Sequence, residues 1–159
     1  MHASTSHYLL KDSLGHLATQ FSKAALKRIN QDLQEGGHAI TSEQWTALVH
    51  IWNQGGLTQQ ELGERLLKDK TNIARLAAGL ERAGYIQREA GRVDRREKTL
   101  RLTEFGKQAM PGIAAVVQRV LADAYAGIDE HELALCRRVL ARARQNLAPA
   151  PPVNPVSPI

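Results

Sequence analysis

Apolar residues recur at helical spacing through nearly all of this 159-residue chain, and the period drops to two in one stretch only, between Gly84 and Thr103. There Tyr85-Ile86-Gln87-Arg88-Glu89 and Lys98-Thr99-Leu100-Arg101-Leu102 alternate as the two arms of a β-hairpin, with Gly91 in the turn region. One hairpin is too little for a sheet protein. The expected fold is therefore mainly α, and the composition agrees: much of the 43% hydrophobic content is Ala and Leu, against 4% aromatic.

The helices announce their own ends. From about Tyr8 to Gln34, Leu10, Leu14, Leu17, Phe21 and Leu33 mark one long helix, stopped by Gly36-Gly37. Thr41 with Gln44 forms a capping box before a second helix, on which Trp45, Leu48, Val49 and Trp52 share a face, and Gly55-Gly56 closes it. Thr58 with Glu61 is another capping box, with Leu57 able to staple onto Leu62, and opens a short helix ending near Leu66 or Leu67. Asp69 then suits the N-cap of a helix carrying Ile73, Leu76, Leu80 and Ala83 inward and stopped by Gly84. A short and a longer helix about three residues apart make a helix-turn-helix. Beyond the hairpin, Thr103 caps a long helix to about Ala126, which Pro111 is expected to kink or bend. Asp129 with Glu132, stapled by Ile128 and Leu133, opens a last helix with Leu133, Cys136, Val139, Leu140 and Ala143 on its apolar side. Of the eleven residues from Pro149 onward, five are proline, so a disordered or polyproline-like tail is expected.

The charge lies where the period changes. Residues 65–101 hold eleven Lys or Arg against five Asp or Glu, an excess of six, whereas the whole chain carries +5. A basic surface of this kind suits a polyanion. Residues at the start of a recognition helix enter the major groove, and here they are Lys70, Thr71, Asn72 and Arg75. Asn pairs bidentately with adenine, Arg with guanine, and the Thr methyl packs on thymine. A β-wing would lay Arg92, Arg95 and Arg96 along the minor groove, with Arg88 and Arg101 on the arms to meet phosphates. Asp94 among them would repel DNA, so its expected task is to orient an arginine by a charge-assisted hydrogen bond.

Three stretches carry a resemblance. They are Ile40-Thr41-Ser42-Glu43-Gln44-Trp45, Leu57-Thr58-Gln59-Gln60-Glu61-Leu62 and Leu80-Glu81-Arg82-Ala83-Gly84-Tyr85-Ile86. With Asp94-Arg95-Arg96 and Leu100-Arg101-Leu102-Thr103-Glu104-Phe105-Gly106, they resemble the MarR family of bacterial winged-helix regulators over about Tyr8 to Leu147. The resemblance implies a winged helix-turn-helix over 40–103 and a helical dimerisation region from 8–38 and 104–147. The ends, 1–7 and 148–159, stay outside. It also implies an obligate homodimer, a ligand pocket between the two regions, Arg96 as the minor-groove arginine and Asp94 as its brace. Thr71, Asn72 and Arg75 would face bases and Lys70 a phosphate. Ala74 stands where many members have Thr or Ser, which leaves the preferred site open. Dimerisation also has a physical argument: the first and last helices each have an apolar face that one chain of this size can hardly bury. A twofold pair would place two recognition helices roughly 34 Å apart, on a palindrome with half-sites about 10 bp apart.

The expected function is a sequence-specific, double-stranded-DNA-binding repressor of MarR type, released by a small-molecule effector. Two alternatives remain: a non-specific architectural DNA binder without a ligand response, and a ligand- or protein-binding winged helix without DNA binding. His16, Phe21, Trp45, His50 and Trp52 are the candidates to line a site for a small aromatic effector, set against the plainer reading of the tryptophan stripe as core. The six histidines show no ligand spacing with cysteine, so no metal or other cofactor is expected. Cys136 reads as a buried structural residue. No phosphate loop, nucleophile elbow or metalloprotease motif appears, and no enzyme is expected. With one cysteine, no signal-peptide pattern and no apolar run of about 18 residues, the bacterial cytoplasm is the expected location.

Overall fold

The computed structural model describes residues 13–90 and 98–147. In chain order the elements are α1 (Leu14–Glu35), α2 (Ser42–Gln54), β1 (Leu57–Thr58), α3 (Gln59–Leu66), α4 (Lys70–Arg82), β2 (Ile86–Ala90), β3 (Lys98–Leu102), α5 (Glu104–Ala124) and α6 (Glu130–Asn146). The three strands form an antiparallel sheet in the order β1-β3-β2. β1 was not expected. It pairs Leu57 with Leu100 and Thr58 with Thr99, placing the start of the helix-turn-helix on the outer side of the hairpin.

The chain divides into two compact units between Ala124 and Tyr125. In the first, one core runs through every element. Leu33 of α1, Leu48 and Ile51 of α2, Leu62 of α3, and Ile73 and Leu80 of α4 are wholly out of solvent, as are Leu100 of β3 and Ile113 of α5. The C-terminal half of α1 packs along α5, and Asp32 is buried between them. Its carboxylate accepts from Arg28 Nε at 2.6 Å and lies 3.6 Å from Arg119 Nη2 of α5. Taking a carboxylate out of water is costly unless cations hold it, and here one comes from each helix.

Local signals fix the starts of the helices. Thr41 and Gln44 cap each other reciprocally, as do Thr58 and Glu61. α1 is described from Leu14, with Ser13 at the N-cap accepting from the His16 amide, and the expected start near Tyr8 lies outside the described residues. Pro111, expected to kink or bend α5, lies within a helix assigned without a break. Pro111 is exposed, so it lies on the outer side of the helix.

Leu67, which ends α3, adopts φ 52 and ψ 45 and is 84% exposed. A left-handed conformation costs an L-residue roughly 1–2 kcal/mol, and nothing buried is gained in return. Leu67→Gly is therefore expected to stabilise the protein by about 0.5–1 kcal/mol despite glycine's extra chain entropy, which a denaturant titration would measure.

The base of the hairpin is a hydrogen-bonded latch. Thr103 donates its amide to the Tyr85 carbonyl at 3.0 Å and its hydroxyl to the Gly84 carbonyl at 2.6 Å. The same hydroxyl oxygen accepts the Gly106 amide at 2.9 Å, capping α5. The Tyr85 and Phe105 rings stack beside it, 5.1 Å apart and tilted by 53°. Gly84 makes the turn at φ +79, and a Cβ on Gly106 would sit 2.1 Å from the Tyr85 carbonyl oxygen. Only glycine fits there.

The second unit holds α6, opened by the reciprocal box of Asp129 and Glu132. None of its residues is buried, and Leu135, Val139 and Leu140 are exposed. Cys136 is exposed as well, which corrects the expectation of a buried cysteine. The apolar spacing that suggested burial marks a face, and in the single chain that face stays open.

Candidate nucleic-acid interface

α4 is held by its inner face and presents its outer one. Ile73, Leu76, Ala77 and Leu80 are buried, while Lys70, Thr71 and Arg75 are exposed. Asp69 caps the helix, its Oδ1 accepting the Asn72 amide at 2.8 Å. Its Oδ2 accepts from Asn72 Nδ2 at 2.7 Å, and Asn72 Oδ1 in turn accepts from Arg75 Nη2 at 2.9 Å. Three side chains thus form one hydrogen-bonded row along the first turns. These bonds hold the Asp69 carboxyl below its ordinary 3.8, and Glu61 below 4.5 through its bonds to Thr58.

The turn before α4 is fixed from two sides. Lys68 pairs with Glu43 of α2, and its amide donates to the Gly63 carbonyl at 3.0 Å. Depressed carboxylates stabilise the fold above their unfolded values and cease to do so as pH falls through the folded ones. Stability is therefore expected to hold down to the ordinary range of 4.5 to 3.8 and to fall further below it. Melting curves across that range would test this, and Asp69→Asn should flatten the low end.

The hairpin arms are less free than their sequence suggests. Arg88 Nε lies 3.4 Å from Glu81 Oε2 at the end of α4. Arg101 Nε lies 3.0 Å from Glu89 Oε2 on the neighbouring strand, and its Nη1 donates to the Gly55 carbonyl at the end of α2. Both arginines, expected to meet phosphates, are thus held by carboxylates of their own chain. Sequence reading missed these partners. In the hairpin register Arg101 faces Gln87, which leaves Glu89 the diagonal neighbour, a relation visible only once the register is fixed. Arg92, Asp94, Arg95 and Arg96 lie outside the described residues.

The five residues considered for an effector do not converge on one cavity. Trp45 is half-buried against the core. Trp52, 48% exposed, borders a groove of about 470 Å3 with Gln87, Arg101 and Lys107. His16 is bonded to Gln20 on its own helix, and Phe21 is exposed. His50 is half-buried.

A helix-turn-helix followed by a two-arm wing, with the basic residues outward, is the geometry of a DNA-binding regulator. Residues 40–98 match the family model described as MarR family. The uncharacterized HTH-type transcriptional regulator YybA of Bacillus subtilis (strain 168) is 30% identical over 108 residues, 68% of this chain and 72% of that one. The chain belongs to the MarR family. It is also 34% identical to the solved transcriptional regulator PA3341, with a TM-score of 0.74 over 85% of this chain and 98% of that one. CouR of Rhodococcus jostii RHA1, solved bound to p-coumaroyl-CoA, shares the fold at TM-score 0.77 and 22% identity, covering 89% of this chain and 99% of that one. Among the curated relatives, the matched part spans from 36% to 82% of their own length. Regulators of the MarR family bind DNA and act as dimers. Among the described residues of this MarR-family regulator, no helix is long and apolar enough to cross a membrane.

Proposed function

We propose that the protein is a homodimeric repressor that binds a palindromic operator and leaves it when a small aromatic effector binds. The observation that carries this reading is α4, whose Ile73, Leu76, Ala77 and Leu80 are buried while Lys70, Thr71 and Arg75 stand exposed at its N-terminal turns. Thr71, Asn72 and Arg75 serve the bases and Lys70 a phosphate. Arg96, braced by Asp94, reads the minor groove, with Arg92 and Arg95 beside it. α1, α5 and α6 form the dimerisation region. This is supported by the exposed Leu14, Leu17 and Phe21 on α1 and by Leu135, Val139 and Leu140 on α6, apolar groups a partner chain would cover.

The effector reading rests on kinship: CouR, of the same fold, was solved with p-coumaroyl-CoA. Of the five, Trp52 borders a groove lined by Arg101 and Lys107 together with Glu89 and Glu104, where an aromatic molecule would lie against its ring. A ligand that prefers a dimer with misplaced recognition helices releases DNA by its differential affinity for the two states.

The test is selection of genomic fragments with purified protein at a stated salt. A recovered palindrome with half-sites about one turn apart supports the reading. Recovery without a motif favours the architectural alternative, and no recovery favours a winged helix that has lost DNA. On the recovered site Arg96→Ala is expected to weaken binding by about 1–3 kcal/mol with the melting temperature unchanged. Unaltered affinity would remove Arg96 from the interface.

A further inference from the structure

The outward face of α4 and the position of Asn72 do not coincide. Successive residues of a helix advance by about 100°, so Thr71 and Arg75 lie within about 40° of one another, while Asn72 stands about 100° round from Thr71. Asn72 accordingly is half-buried, between the exposed Thr71 and the buried Ile73. It borders a groove shared with Thr41, Gln44 and Gly79, on the flank of α4 that turns toward the start of α2, and Arg75 reaches the rim of the same groove. Its carboxamide is engaged at both ends: Nδ2 gives a hydrogen to Asp69 and Oδ1 takes one from Arg75.

We propose that Asn72 is a positioning residue, which with Asp69 holds the Arg75 guanidinium in the orientation that reads a guanine. This rests on the DNA-reading role given to α4 above. Arginine has large rotamer freedom and presents a planar fork to guanine O6 and N7, so an arginine already held at one nitrogen loses less on binding. Asp69, ionised and fixed as the N-cap, orients the Asn72 amide. That amide then presents its oxygen to Arg75 Nη2. Read this way, the base preference assigned to Asn72 belongs to Arg75.

The experiment is a coupling measurement on the full-length dimer. Duplexes selected from random sequence by the wild-type protein serve as probe, together with versions altered at each base pair of one half-site. Arg75→Ala should abolish discrimination at one G·C pair. Asn72→Ala should weaken discrimination at that same pair by roughly three- to tenfold, the cost of one freed side chain, and should add nothing in the Arg75→Ala background. Asp69→Ser, which keeps a capping hydroxyl but loses the acceptor for Asn72, should act on the same pair in the same direction. An Asn72→Ala effect at a different base pair overturns the proposal, as does a uniform loss on all sequences or an undiminished loss beside Arg75→Ala. A wild-type protein with no base preference at any salt overturns the operator-binding reading itself, so the two failures look different.

Discussion

Gly106→Ala is expected to lower stability by about 3 kcal/mol, a fall of roughly 10 °C in melting temperature for a chain of this length. A Cβ at this position would stand 2.1 Å from a carbonyl oxygen, and that oxygen belongs to the backbone of Tyr85, which a rotamer change cannot move. Two further groups prevent Tyr85 from yielding. Its carbonyl already accepts the Thr103 amide, and its ring is buried against Phe105. Relief would have to come from separating α5 from the base of the hairpin, and Met110 and Ile113 on α5 would lose their cover with it. Calorimetry of the variant decides the matter; a loss below about 1 kcal/mol would mean that α5 and the hairpin are not locked together as described.

Affinity for the operator duplex should fall roughly a thousandfold between about 50 and 200 mM salt, the consequence of about six neutralised phosphates across a dimer. The structure makes this prediction specific to residues. Lys70 is exposed at the head of α4 and forms no ion pair among the described residues, so Lys70→Ala should lower the salt slope by about one for each site removed. Arg101 already spends its charge on Glu89 and the Gly55 carbonyl. Arg101→Ala should leave the slope nearly unchanged, and Glu89→Gln should steepen it by releasing the arginine. Equal slopes for Lys70→Ala and Arg101→Ala would mean that phosphate displaces Glu89 in the complex.

The parts of the fold legible in the sequence are those written locally. Each reciprocal cap sits within four residues, and each was enough to place a helix start within a residue: Thr41 with Gln44, Thr58 with Glu61, Asp129 with Glu132. The hairpin arms were legible because a period of two is a local property. β1 was not, since two residues carry no period, and Leu57 and Thr58 become a strand only because β3 lies beside them. The pairing of Arg88 with Glu81 escaped for a similar reason: it crosses a turn from helix to strand. Leu67 gave no hint of its left-handed backbone, because glycine or asparagine would be the usual sign. Cys136 lay on a real apolar stripe, yet periodicity reports which side of a helix is greasy and is silent about what covers it.

The short strand β1 has one more consequence. Its register with β3 joins Leu57 to Leu100 and Thr58 to Thr99, so α3, α4 and the hairpin all lie on a single loop of chain whose two ends are stitched side by side. Closing such a loop spends chain entropy that the contacts between its two ends must repay. The pairing therefore ties α3, α4 and the hairpin into one unit, and their amides are expected to open together in native-state hydrogen exchange.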